Sequence, residues 1–138
     1  LWAVQYYGNL VFLVNTDLVE TVPRSFADLL DPAYQNMVSI SDPQGAAQGN
    51  FTVFAAAFAN GGDENDVQPG LDYFKQLNEL GNLKRTGPDL ANFQKGETSL
   101  GILWDYLALE FRDELEGQAT LEVVVPEDAS IAGPYASI

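Results

Sequence analysis

Short apolar runs of strand length alternate along the chain with longer segments whose apolar residues recur at helical spacing. Residues 10–15 form a nearly continuous apolar run, which is typical of a strand buried on both faces. Residues 100–104 and 121–125 have the same character and predict two more strands. Residues 38–41 alternate apolar and serine positions and predict a fourth strand, and the strand-like residues 135–138 predict a fifth.

Helices are predicted between these strands. The segment that follows residues 38–41 predicts a helix ending near residue 60, with an inward face formed by Phe51, Phe54, Ala55, Phe58 and Ala59. A second amphipathic helix is predicted at residues 66–80, with an inward face formed by Leu71, Phe74, Leu77 and Leu80. Shorter helices are predicted after Ser25, at residues 89–95 and at residues 107–115.

This alternation of strands and helices predicts the fold class. A chain of 138 residues is long enough for one domain with a substantial core. We expect residues 1–138 to form a single three-layer α/β lobe, with helices on both faces of a mostly parallel sheet of about five strands.

Composition excludes several classes of partner and of chemistry. The formal charge is −14, from twenty acidic and six basic residues, which argues against nucleic acid and against an anionic membrane surface. No apolar run is long enough to span a bilayer, so we expect no direct membrane insertion. The absence of His and Cys removes thiolate nucleophiles, the usual serine-hydrolase triad and most zinc sites. We therefore expect no catalytic residue, metal or cofactor, although a mechanism using only Asp and Glu stays open.

The first candidate site is the junction between residues 38–41 and the helix that follows. Asp42 and Pro43 end the strand, and Gly45 and Gly49 let the chain turn and leave backbone amides accessible. Open α/β sheets bind ligands where a strand leads into a helix N-terminus, because strand ends and free amides converge there. The alternative is an ordinary loop in which Ser41 or Asp42 caps the helix.

The second candidate site is the end of the strand at residues 100–104. Trp104, Asp105 and Tyr106 offer a flat aromatic face, a negative charge and a hydroxyl group, which together with Asp42 would suit an amine-bearing ligand. In the alternative, Trp104 is a core residue and Asp105 caps the next helix. A third hypothesis assigns a phosphonate or another anion to the two helix N-termini. Elsewhere, Lys84 and Arg85 are a pair of adjacent basic residues in a short extended segment.

Several short segments occur in an order that resembles the second lobe of bacterial extracellular solute-binding proteins of family 1. The resemblance is to the branch that includes the spermidine/putrescine, iron(III), thiamine and phosphonate binders of ABC importers. The segments are residues 2–8, 10–15, 23–34, 41–43, 93–97, 102–106 and 124–128.

This resemblance implies a periplasmic or extracellular binding protein with two lobes and a ligand cleft between them. The closed form would dock on an ABC permease, and the parent protein would carry a signal peptide or a lipid anchor. This chain would be the inserted lobe, cut from a longer protein, which agrees with its strand-like ends and its first residue, which is not Met. Residues 10–15 would then be the one antiparallel strand, because they enter from the other lobe. A carboxylate-dependent enzyme using Asp42 and Asp105, or a plain interaction domain, is the alternative.

The resemblance also implies a set of ligand-binding residues. Asp42 matches a carboxylate that meets the ligand's amine in polyamine binders, and Trp104 matches a tryptophan that lines the cleft. Gly45 stands where those proteins have a second acidic residue, and Asp105 and Tyr106 replace an Asn-Gly pair. We expect one exposed concavity at the ends of the two parallel strands, with the crossover residues close to it. The predicted set is Ser41, Asp42, Gln44, Gly45, Trp104, Asp105, Tyr106, Tyr7 and Tyr135.

Overall fold

The fold is built on a long strand that crosses the middle of the sheet. A computed structural model describes residues 3–63, 65–128 and 132–137, with side chains described between residues 9 and 128. The strands are β1 (Ala3–Asn15), β2 (Val38–Ser39), β3 (Leu100–Trp104), β4 (Leu121–Val124) and β5 (Ala132–Ser137). The helices are α1 (Ala47–Ala59), α2 (Gln68–Glu79), α3 (Leu90–Lys95) and α4 (Asp105–Glu114), and two 3-10 turns lie at Asp28–Leu30 and Pro32–Tyr34.

The strands of the described residues form one five-stranded sheet in which β1 runs against all its neighbours. The order is β2-β3-β1-β4, and β5 pairs with the first half of β1. Strand β1 is antiparallel to β3, β4 and β5, whereas β2 and β3 are parallel. The prediction that residues 10–15 lie in the one strand that runs against the others is confirmed. Because β1 lies in the middle of the sheet, three of the four strand pairs are antiparallel, so the sheet is mixed.

Alternate residues of β1 point into two separate cores. Leu10, Phe12 and Val14 pack with α1 and α2 on one face of the sheet. Val11 and Leu13 pack with Phe93 of α3 and Ala108 of α4 on the other face. Because both faces are buried, β1 is apolar at successive positions, as a central strand should be. The predicted three-layer arrangement is confirmed.

The predicted inward face of α1 is wrong in part. Ala55 is buried as expected, and Phe51 and Ala59 are partly buried against the core. The buried residues include Ala55, Ala56 and Ala57, whereas Phe58 is 40% exposed and Phe51 and Phe54 are half-buried. The cause is the close approach of α2: a Cβ atom at Gly70 would lie 2.1 Å from the carbonyl oxygen of Val53. Small residues must face this contact, so the phenylalanines turn away from it.

The predicted inward face of α2 is wrong in part. Phe74 and Leu77 are buried as expected, but Leu71 and Leu80 are 48% and 44% exposed. The buried face begins at Gly70 and continues through Tyr73, because positions three, four and seven residues apart share one side of a helix. Contact with α1 at Gly70 therefore fixes the rotation of α2.

Strand β2 is two residues shorter than predicted, because the chain leaves the sheet after Ser39 and turns at residues 41–45. Its outer side is covered by residues 82–84, which lie parallel to it. The N–H of Val38 donates to the carbonyl of Asn82 at 2.9 Å, and the N–H of Lys84 donates to the carbonyl of Val38 at 2.8 Å. This arrangement places Lys84 and Arg85 beside the end of β2.

Candidate functional site

The two candidate sites lie at the same edge of the sheet. Strands β2 and β3 are parallel neighbours, with Val38 opposite Leu100 and Ser39 opposite Gly101. Each strand leads at its C-terminal end to a helix, β2 through the turn at residues 41–45 and β3 directly. The carboxyl ends of adjacent parallel strands form the edge where open α/β sheets bind ligands.

A single side chain joins these two strand ends. The amide nitrogen Nε2 of Gln48, in the first turn of α1, donates a 2.6 Å hydrogen bond to Ser41 Oγ. The amide oxygen Oε1 of the same residue accepts the backbone N–H of Trp104 at 3.1 Å. Gln48 therefore holds Ser41 and Trp104 at a fixed separation.

Sequence reasoning did not identify Gln48. The only local signal is a long polar side chain in the first turn of a helix that is otherwise rich in Ala and Phe. A residue of that kind is common on an exposed helix end, and its role depends on the strand that packs beside it. No pattern within α1 could have revealed the contact with Trp104.

The turn at residues 41–45 is held by its own backbone and by Asp42. Oδ1 of Asp42 accepts the N–H of Gln44 at 2.9 Å, and its carbonyl accepts the N–H of Ala46 at 3.0 Å. A Cβ atom at Gly49 would lie 2.4 Å from the carbonyl oxygen of Ser41 and 2.5 Å from that of Asp42. The turn therefore packs directly onto the first turn of α1, and only glycine fits at position 49.

The interpretation of Ser41 and Asp42 as caps of the following helix is wrong. The N-cap residue of α1 is Ala46, which makes no side-chain capping hydrogen bond. Ser41 instead contacts Gln48, and Asp42 stabilises the turn. At α4 the N-cap residue is Trp104, so Asp105 is the first residue of the helix and not its cap, contrary to the alternative. Oδ1 of Asp105 accepts the N–H of Tyr106 at 2.8 Å.

Trp104 is neither a fully buried core residue nor a fully exposed one. It is half-buried, and its ring packs against Phe51 with 5.6 Å between ring centroids and an angle of 59° between the planes. Asp105 is half-buried and Tyr106 is 41% exposed. Part of the Trp104 surface is therefore open to solvent.

Two concavities flank the turn, and both are lined by Ser41 and Asp42. One has a volume of about 330 Å³, and its other lining residues include Pro43, Lys84 and Arg85. The second has a volume of about 450 Å³ and extends past Gln48 and Arg85 to the apolar side chains of α4. Gln44, Gly45, Trp104, Asp105 and Tyr106 do not line these two concavities. The predicted residues of the turn and of the β3 end therefore lie at two neighbouring strand ends. They do not line either of these two concavities together, as the prediction of a single concavity required.

The two predicted crossover tyrosines belong to the ribbon formed by β1 and β5. The backbone of Tyr7 pairs with Pro134, and that of Tyr135 pairs with Tyr6. The side chains of both tyrosines lie outside the described residues, so their approach to the edge stays a prediction.

Lys84 and Arg85 differ from two other basic residues in their lack of an acidic partner. Arg24 lies 3.4 Å from Glu122 and Arg112 lies 3.4 Å from Asp113. Neither Lys84 nor Arg85 takes part in an ion pair in the described part of the chain, although Lys84 is half-buried. Lys75 and Lys95 also form no ion pair within the described ranges, but only Lys84 and Arg85 among these four line the concavity beside Asp42.

The described ranges hold no group of three or more His, Cys, Asp or Glu side chains that could bind a metal ion. No helix among them is long and apolar enough to cross a membrane.

Comparison with known proteins finds periplasmic binding proteins among the relatives of this chain. Over 90 residues, or 64% of this chain, the sequence is 36% identical to a Salmonella typhimurium protein provisionally named a 2-aminoethylphosphonate-binding periplasmic protein, and the match covers 26% of that protein. The periplasmic binding protein AfuA from Actinobacillus pleuropneumoniae, with exogenous fructose 6-phosphate bound, superposes with a TM-score of 0.70 and 29% identity, covering 98% of this chain and 42% of AfuA. The spermidine/putrescine substrate-binding protein PotD from Streptococcus pneumoniae has a TM-score of 0.75 and 20% identity, covering 99% of this chain and 42% of PotD, and shows the fold alone.

The chain therefore spans less than half the length of these relatives. A sequence profile of one family, described as bacterial extracellular solute-binding protein, matches residues 1–138. The resemblance inferred from the order of short segments is confirmed, and the chain belongs to the bacterial extracellular solute-binding proteins.

Proposed function

We propose that the protein containing this chain is the substrate-binding component of an ABC importer. It captures a small solute in the periplasm or outside the cell, in a cleft between two lobes, and delivers it to a membrane permease. Family membership over the whole chain supports this function. The chain forms one of the two lobes, a proposal supported by its 42% coverage of AfuA and PotD. In this proposal the paired strands β1 and β5 are the ones that cross to the other lobe.

The proposed binding edge is the surface at the ends of β2 and β3. The observation that carries this proposal is a pair of hydrogen bonds made by Gln48, which donates to Ser41 and accepts the N–H of Trp104. The pair joins the ends of two parallel strands beside an open concavity. Binding groups held by rigid elements lose little conformational freedom when a ligand binds. Ser41, Asp42, Trp104 and Asp105 are the core of the site, and Tyr106, Gln44, Gly45, Tyr7 and Tyr135 are proposed as peripheral contacts.

The proposed solute carries a primary amine. Asp42 is exposed and lines both concavities, Asp105 lies at the neighbouring strand end, and the partly open ring of Trp104 can receive a cation on its face. The net charge of −14 also favours the approach of a cationic group. The name of the Salmonella relative supports an amine as well, because 2-aminoethylphosphonate carries one.

Calorimetric titration of the full-length protein tests this function. Putrescine, spermidine and 2-aminoethylphosphonate are the probes, and 1,4-butanediol is the matched control because it replaces both amines of putrescine with hydroxyl groups. We expect at least one amine to bind saturably at one site, with an increase in melting temperature, and the diol not to bind. Binding of the diol with the affinity of putrescine would contradict the amine assignment.

The two alternative functions give different outcomes in the same experiment. A carboxylate-dependent enzyme would convert the bound amine, so mass spectrometry of the recovered probe distinguishes it from a binding protein, which returns the probe unchanged. A plain interaction domain would show neither binding nor a melting shift with any of the probes.

A further inference from the structure

We infer that Lys84 and Arg85 form an anion subsite beside Asp42, so that the solute carries a phosphonate or phosphate group in addition to its amine. This inference rests on the proposed function and names the ligand class of the same edge. The supporting observation is that both side chains line the concavity of about 330 Å³ and form no ion pair in the described residues.

The backbone that leads to the two cations is hydrogen-bonded to strand β2. Lys84 is hydrogen-bonded through its N–H to Val38 of β2 at 2.8 Å, and Leu83 forms a parallel bridge to Val38. Two residues earlier, the fully buried Asn82 donates from Nδ2 to the carbonyls of Leu29 at 2.7 Å and Asp31 at 3.0 Å. These contacts place Lys84, and with it the adjacent Arg85, beside the end of β2.

The acidic and basic side chains that line the smaller concavity do not form ion pairs with one another. Lys84, Arg85 and Asp42 all line the 330 Å³ concavity, yet neither cation lies within ion-pair distance of Asp42. Lys84 is half-buried, and a cation taken partly out of water without a partner loses hydration free energy that an anion can restore. Two of the six basic residues of a chain with charge −14 thus stand at the proposed binding edge.

The arrangement fits a small zwitterion. Asp42 can receive the ammonium group while Lys84 and Arg85 receive the anion, because all three side chains border one space. Two adjacent cations match a group with more than one negative oxygen, and an arginine side chain binds phosphate-type oxygens in a bidentate manner while a lysine acts as a point charge. A phosphonate or phosphate ester meets this description better than a carboxylate, which carries a single charge.

The test compares three probes on the full-length protein and on the double variant Lys84→Gln/Arg85→Gln. The probes share an amine but differ at the other end: 2-aminoethylphosphonate, β-alanine with a carboxylate, and propylamine with a methyl group. We expect the double variant to bind 2-aminoethylphosphonate more than about tenfold more weakly, and propylamine with less than about twofold change. The loss for β-alanine should lie between these values.

Lys95→Gln is the matched control, because Lys95 is an exposed lysine of α3 that lines neither concavity. It should leave the affinity for all three probes unchanged, which separates a local contact from the general effect of removing positive charge. Melting temperature verifies that the double variant is folded. Arg85→Gln alone, at an exposed position, is the substitute variant if the double variant does not fold.

The outcomes separate this inference from the proposed function. If the wild-type protein binds propylamine or putrescine but not 2-aminoethylphosphonate, the anion subsite is wrong and the amine-binding function stands. An equal loss of affinity for 2-aminoethylphosphonate and propylamine, or no loss for either, also overturns the subsite. If the wild-type protein binds no amine at all, both the function and the subsite are wrong.

Discussion

The side-chain oxygen of Gln48 accepts the backbone N–H of Trp104 at 3.1 Å, across the gap between the first turn of α1 and the end of β3. Its amide nitrogen holds Ser41 at the same time. Gln48→Leu should lower the free energy of unfolding by about 1–3 kcal/mol, because it leaves two half-buried polar groups without partners. Urea unfolding of the chain measures this loss.

Two further variants make the Gln48 experiment specific. Gln48→Glu keeps an acceptor for Trp104 but loses the donor to Ser41, so its loss of stability should be smaller than that of Gln48→Leu. Gln76→Ala, at an exposed position of α2, should change stability by less than about 0.5 kcal/mol. Equal stability of Gln48→Leu and the wild type would show that the two hydrogen bonds contribute nothing to the fold.

Trp104→Ala should weaken binding of the amine probe that binds the wild type most tightly, by about 1–3 kcal/mol, as expected for an aromatic anchor that becomes desolvated in the complex. Trp104→Phe keeps an aromatic face and contact with Phe51, so it should lose less. Titration of the full-length protein gives both values. Unchanged affinity in Trp104→Ala would place the ring outside the site.

Asp42→Asn tests the assignment of the amine. It keeps the shape of the side chain and an oxygen that can accept the N–H of Gln44, but it removes the charge. We expect putrescine to bind about 1.5–3 kcal/mol more weakly, which is the range for a hydrogen bond to a charged group. Methylphosphonate, which has no amine, should bind equally well or better. A loss for methylphosphonate as large as that for putrescine would indicate a general disturbance of the turn.

Gly49→Ala tests the packing of the turn at residues 41–45 on α1. The added Cβ would lie 2.4 Å and 2.5 Å from two carbonyl oxygens, so the turn or the helix must move, at a cost of about 1–3 kcal/mol in stability. Gly87→Ala is the matched control, because its nearest neighbour would be the Asp89 side chain at an ordinary distance of 3.8 Å. Thermal unfolding of the two variants should separate them, and equal melting temperatures would contradict the close packing at Gly49.

The sequence predicts the sheet well because the strands are buried on both faces. A run of successive apolar residues, such as that of β3, indicates a buried strand without knowledge of the strands beside it. The predicted bounds of that strand agree with Leu100–Trp104. Helix α3 is recognisable from its ends, because Asp89 accepts the N–H of Asn92 at 2.9 Å and Gly96 adopts a φ of 77° after the last turn. These signals are local, so they are visible before the fold is known.

The features that the sequence did not reveal depend on contacts between elements. The buried alanine face of α1 follows from the approach of α2 at Gly70, and nothing in α1 itself distinguishes that face from its phenylalanine face. The role of Gln48 follows from the register of β2 on β3, and the position of Lys84 follows from its bond to Val38. The sequence therefore identifies the edge at Asp42 and Trp104 but not the side chains that join and flank it.

Tyr73 should make the stability of the chain sensitive to alkaline pH. It is 3% exposed, its hydroxyl donates to the carbonyl of Phe26, and burial, followed by the charges of Asp128 and Asp28, raises its pKa well above the ordinary value of 10.0. The folded state therefore keeps a proton that the unfolded state releases above pH 10, so this contribution to stability is complete below pH 10 and is lost as the pH rises further. The expected slope from this one group is about 1.4 kcal/mol per pH unit.

Tyr73→Phe separates this effect from general alkaline denaturation. At neutral pH the variant should be less stable by about 1–3 kcal/mol, because a buried carbonyl loses its donor. Above pH 10, however, its stability should fall less steeply than that of the wild type, since the group that releases a proton on unfolding is gone. Some slope should remain from Tyr34, whose pKa is also raised, chiefly by burial and then by Asp28 and Asp31. Urea unfolding at neutral pH and at several values above pH 10 measures both slopes, and parallel curves for the two proteins would show that Tyr73 ionises no differently in the folded and unfolded states.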